Sequence, residues 1–267
     1  MSSLNEINQE GKVENKNYAK GPIGNKLDHL VDVNPIGGIN TIIAKSFIDN
    51  ANNGMLPFLN ENNINYNNDG IYEVSCDLLR EICEMMEDNN AVNLNFTLVE
   101  IPSNDSRLDV NPMTSGKMIY MVASLQTIDE KNIPELNYLI MNAKSDQSLE
   151  ELKITDTEFL MYKEVFDNSS SSKLKEYFPG PYSSKKNTCS VFYNIEDIKD
   201  TLAKVNTLKF NVYMCEISDV LAIIEENNLG DQLNVALYEE HFESRVKQLT
   251  MVFESGADYY DMGSLRP

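Results

Sequence analysis

The chain has 267 residues, 42 acidic against 22 basic side chains, and a net charge of −20 at pH 7. Nucleic-acid binding needs cationic side chains that displace counterions from phosphates, and with only four arginines (Arg80, Arg107, Arg245 and Arg266) the composition argues against it. A chain this long suits one large domain or two small ones.

The first 34 residues are polar and aperiodic, which predicts a disordered leader. They hold no apolar run of signal-peptide or membrane-spanning length, so the expected setting is cytoplasmic, with no membrane partner. A turn cluster at Asn34-Pro35-Ile36-Gly37-Gly38 opens the first folded part, 35–127. Ile39, Ile42, Ile43, Phe47 and Ile48 recur at helical spacing, with Asn40 or Gly38 as cap and Asn52-Asn53-Gly54 as stop. After an Asn-rich loop, 71–75 reads as extended. Ser75 then caps a helix that buries Leu78, Leu79, Ile82, Met85 and Met86. Strand 93–101 alternates Leu94, Phe96 and Leu98, and 117–127 is apolar on both faces, as a central strand is.

The stretch 128–187 reads as a helical insert and linker. Thr155-Asp156-Thr157-Glu158 is a capping box ahead of Phe159, Tyr162 and Phe166. Ser169 to Ser172 breaks that helix, and Pro179-Gly180-Pro181 turns the chain. The second folded part, 188–255, reads as strand 189–193, a helix capped by Asn194, strand 208–215, helix 217–227, strand 232–239 and strand 246–254. The last two form a hairpin with Leu249, Met251 and Phe253 inward. A tail, 256–267, carries Tyr259, Tyr260 and Met262.

The segments 72–100 and 213–239 share a pattern: an extended lead, an apolar-periodic helix, an Asn-rich stop and a Leu-Asn-x-x-Leu strand. The expected class is therefore α+β, with two divergent helix-strand-helix-strand-strand repeats and a mainly antiparallel sheet. The run Cys189-Ser190-Val191-Phe192-Tyr193, IEDIKDTLAKV, a strand-helix unit, LNVALYEE and LTMVFES resembles a family of uncharacterised small bacterial cytosolic proteins. It covers about 189–265. The resemblance implies an aromatic strand, a helix, a strand and a terminal hairpin, a bacterial origin, and no known activity.

Chemistry-bearing motifs are sparse. Cys76, Cys83, Cys189 and Cys215 form no CxxC pair and read as reduced, core-packing thiols. His241 sits in Glu-Glu-His-Phe-Glu, read as a solvated turn. Asn65 to Gly70 imitates the start of a calcium loop, but Cys76 stands where the bidentate Glu belongs. No nucleotide or hydrolase motif is present. The expectations are no catalytic residue, no metal and no cofactor. The favoured function is a non-catalytic acidic interaction or assembly protein whose partner is a basic protein or a second copy. Tyr259, Tyr260 and Met262 are its candidate anchors. The alternatives are a small-ligand module using the cleft between repeats, or a carboxylate- or metal-dependent enzyme around Asp69 or His241.

Overall fold

A computed structural model describes residues 38–112, 115–177, 188–260 and 264–266. The predicted leader, the 183–187 connection and Met262 lie outside the described residues.

Asn40 accepts the Ile42 amide and starts α1 (Thr41–Asn50). The helix does not stop at Asn52-Asn53-Gly54. It continues as a π-helical turn (Ala51–Met55) into α2 (Leu56–Glu61), because Met55, Leu56 and Leu59 are buried on the same side and Pro57 falls in a first turn, where it is tolerated. Then follow β1 (Ile71–Ser75), α3 (Cys76–Asp88), β2 (Asn93–Pro102) and β3 (Lys117–Gln126). Ser75 caps α3 by accepting the Asp77 amide. The next elements are β4 (Asn132–Tyr138), α4 (Leu149–Leu152), β5 (Lys153–Ile154), α5 (Asp156–Asn168) and α6 (Ser170–Tyr177). Thr155 and Glu158 close the capping box on α5. The chain finishes with β6 (Ser190–Asn194), α7 (Ile195–Lys204), β7 (Lys209–Glu216), α8 (Val220–Glu226), α9 (Val235–Phe242), β8 (Leu249–Ser255), β9 (Asp258–Tyr260) and β10 (Ser264–Arg266).

The class is α+β, and every named strand pair is antiparallel. One sheet runs β1-β7-β8-β9 and the other β10-β6-β2-β3-β4-β5. The two parts of the chain therefore interlace. β1 lies on β7 with Ser75 opposite Lys209, and β6 lies on β2 with Asn194 opposite Asn93. The joints correspond in detail. The first amide of α3, on Cys76, donates to the Leu208 carbonyl at 2.9 Å, and the first amide of α7, on Ile195, donates to the Val92 carbonyl at 3.0 Å. Side chains alternate along strands, so Leu94, Phe96, Leu98 and Glu100 of β2 share one face. Phe210, Val212, Met214 and Glu216 hold the matching places on β7. These faces meet in the core, where Phe96 lies 6.2 Å from Phe253.

On the opposite face of the larger sheet, Ser124 donates to Asn137 and Asn137 to Asp156, the first residue of α5, which ties that helix to the sheet. α1, α8 and α9 cover the smaller sheet with Phe47, Ile224, Tyr238 and Phe242 around Cys215 and Val252.

The alignment of 72–100 on 213–239 is not the correspondence these joints display. The helix after β6, α7, corresponds to α3 in how its first amide is held. Residues 232–239 are not a strand. Asn234 accepts the Leu237 amide at 3.3 Å and starts α9, which buries Leu237, Tyr238, His241 and Phe242 at helical spacing. The physical reason lies in β8, which already has β7 on one side and β9 on the other, so no edge remains for a 232–239 partner. The expected terminal hairpin is instead β8 with β9.

His241 consequently sits inside the fold and not in a solvated turn. Its ring lies edge-on to Phe242 at 4.5 Å. Burial, with the nearby Arg245 charge, lowers its pKa from 6.5 to about 3. In the unfolded chain the imidazole takes up its proton near pH 6.5, and in the fold only near pH 3. The stability from keeping it neutral is whole above the upper value and is lost as pH falls toward the lower one. His241→Leu should therefore lose less stability than wild type between about pH 6 and pH 4, measured by urea titration at each pH. Parallel curves would show that His241 does not drive the acid response.

Candidate functional site

Three places could hold chemistry. The first is the seam between the interlaced parts, where Leu79, Phe96, Tyr193, Ile198, Phe210 and Phe253 surround a void of about 20 Å³. That is room for one water. The four aromatic rings fill the cleft themselves, packing edge-on with Tyr193 5.4 Å and Phe210 5.9 Å from Phe253.

The second is a pair of buried carboxylates, Glu100 and Glu216, at matching ends of β2 and β7. Glu100 accepts the Ser170 amide at 3.1 Å and the Ser170 hydroxyl, which anchors the start of α6. At the other end of α6, Tyr177 donates to Glu216 at 2.9 Å, and Lys247 donates to its other oxygen at 3.2 Å. Gly54 of the π-helical turn is why Tyr177 fits: a Cβ there would lie 2.1 Å from the Tyr177 hydroxyl. Burial and the neighbouring carboxylate push the Tyr177 phenol well above its ordinary range. Both carboxylates are thus consumed in holding one helix across two sheets.

The third is an open groove of about 620 Å³ beside the start of α3. Asn142 builds its floor. Held at φ 52, it donates its backbone amide to the Glu73 carbonyl and its side-chain amide to the Asp109 carbonyl, and its side-chain oxygen accepts the Glu73 amide. One wall is α3, with Asp77, Leu78 and Glu81. The other is the 143–147 turn, with Ala143, Lys144, Ser145 and Gln147, and Leu208 and Lys209 form the rim. Lys209 pairs with Glu73, Arg80 with Asp77, and Lys144 donates to the Ser106 carbonyl. The Glu81 and Asp109 carboxylates have no such partner among the described residues. The Gln147 side-chain oxygen is enclosed without a donor. Leu208 is 85% exposed.

Tyr259 and Tyr260 are both buried. Tyr259 donates its hydroxyl to Glu254, and Tyr260 packs edge-on to Phe210 at 6.0 Å. Burial pushes the Glu254 pKa up, but donors from Asn211, Tyr213 and Tyr259, with the Lys45 charge, outweigh it and leave it below the usual value. Asp69 is exposed on a turn at φ 50. Among the described residues no three of His, Cys, Asp and Glu converge on a metal-sized site, and no helix is long and apolar enough to cross a membrane. All four cysteines are free thiols, and burial raises Cys83 to about 11.

No protein-family model, no curated protein and no solved structure matches the chain.

Proposed function

We propose that the chain is a non-catalytic interaction protein that docks a partner protein in the groove between α3 and the 143–147 turn. The carrying observation is the groove itself. Its lining combines Leu78, Ala143 and Leu208 with the exposed carboxylates of Glu81 and Asp109. Glu100, Glu216 and Glu254 already accept from the protein's own amide, hydroxyl and ammonium groups. The expected setting is the bacterial cytoplasm, where free thiols such as these four stay reduced.

Selection of random peptides displayed on phage against the full chain tests the reading. Ser145→Trp, at an exposed position on the wall, should weaken selected peptides at least tenfold while leaving the melting temperature unchanged. A library with no binder, or binders indifferent to both Ser145→Trp and Leu208→Asp, would overturn it.

A further inference from the structure

We infer that α6 is a latch that docks and releases as one unit, hinged at Ser169, with the buried carboxylates Glu100 and Glu216 as its two catches. This stands on different residues from the docking reading and does not depend on it.

α6 does not hold itself helical. It has 8 residues and opens on Ser170, Ser171 and Ser172. Helices this short are unstable alone in water, and serine is a weaker helix former than alanine. Its apolar hold is Leu174, fully buried, and the half-buried Tyr177 ring, 5.1 Å from Phe58. The rest of the hold is polar and sits at the two ends. Glu100, on the larger sheet, takes the Ser170 amide and hydroxyl, and Glu216, on the smaller one, takes the Tyr177 hydroxyl and the Lys247 ammonium. Burying a carboxylate is costly unless donors meet it, and of these donors all but Lys247 belong to α6. A half-released helix leaves one carboxylate enclosed without its donors, which favours full docking or full release over anything between.

The Tyr177 catch has the local irregularities of a moving part. It lies against the π-helical turn 51–55, a distortion frequent at functional positions. Gly54 of that turn leaves room for the phenol, since a Cβ would stand 2.1 Å from its oxygen. Lys247 adopts φ 66, a left-handed conformation that is costly for a residue with a side chain and that clusters at switch regions. Its ammonium stands 3.2 Å from Glu216 and 5.8 Å from the Tyr177 ring centroid. At the other end one non-helical residue, Ser169 at φ −122 and ψ −93, separates α6 from α5, so α6 leaves without unwinding its neighbour. Released, it unties the two sheets at this side and bares one carboxylate on each.

Amide hydrogen exchange, read residue by residue in the full chain, tests the latch. In the wild type the amides of 172–177 should exchange roughly tenfold or more faster than those at the centres of β2 and β7, because release leaves both sheets folded. Gly54→Ala drives the Tyr177 hydroxyl off its catch, and Tyr177→Phe removes the hydroxyl while keeping the ring. Ser170→Ala removes a donor at the opposite end. Each variant should speed exchange along the whole of 172–177 by a similar factor, roughly fivefold or more, with the β2 and β7 amides unchanged. Acceleration confined to the end that was altered would mean independent fraying and overturn the inference. So would α6 amides as slow as those of β2, which would show that the helix leaves only when the whole chain unfolds. If Gly54→Ala does not fold, Tyr177→Phe and Ser170→Ala, which add no atoms, decide between one unit and two independent ends.

Discussion

Phe253→Ala is expected to cost about 3–5 kcal/mol, the range for truncating a buried aromatic, and to lower the melting temperature by roughly 10 °C in a fold of this size. Phe253 projects from β8 into the seam, 4% exposed, with Phe96, Tyr193 and Phe210 all around it. Those rings come from β2, β6 and β7, so one side chain holds three strands drawn from both parts of the chain. Neighbouring rings contribute edge-to-face energy beyond area burial, about 0.5–1.5 kcal/mol per pair. The new hole would merge with the void already present there, and the cost rises with residual cavity volume. Phe253→Leu keeps most of the volume and should cost roughly half as much. A melting temperature within 2 °C of wild type for the alanine variant, measured by calorimetry, would show that the seam is not the centre of the core.

The local signals in the sequence translate well. Asn40, Ser75, Asn194 and the Thr155–Glu158 box each cap the helix expected of them. The apolar run from Lys117 to Gln126 is a central strand between β2 and β4. What failed depended on distant partners. Leu233, Val235 and Leu237 alternate like a strand, while Leu237, Tyr238, His241 and Phe242 repeat like a helix. Only the occupied edges of β8 decide between the two readings. β4 pairs through its backbone but buries little of its first five residues, so it shows no alternation to read. The exchange of β1 and β6 between the two parts is likewise a long-range choice, invisible in either segment alone. The groove escaped for the same reason. Its walls come from 73–81, Asp109, 142–147 and 208–209, and no spacing within any one of these marks a site.

The aromatic tail shows how far sequence can carry a functional guess. Two tyrosines between glycines read equally well as a free anchor or as a closing strand. The pairing favours closure: Phe253 faces Tyr260, Glu254 faces Tyr259, and Ser255 faces Asp258. Gly256 makes the connection possible by adopting φ +66, which a side chain would resist. The Ile39 amide then donates to the Tyr259 carbonyl at 3.0 Å, joining the start of the described chain to β9. Tyr260→Ala should therefore cost about 3–5 kcal/mol. Deleting residues 256–267 should cost more, because it also strips the outer edge of β8 and removes one of the three hydroxyl and amide donors that hold Glu254. The deletion should show an early thermal transition and fast hydrogen exchange along β8. If it melts with wild type but loses its partner, Tyr259 and Tyr260 are anchors after all and the groove is not the docking surface. If it melts early, loss of binding in that variant says nothing about contact. Leu208→Asp and Ser145→Trp, which leave the core alone, then become the variants that locate the partner.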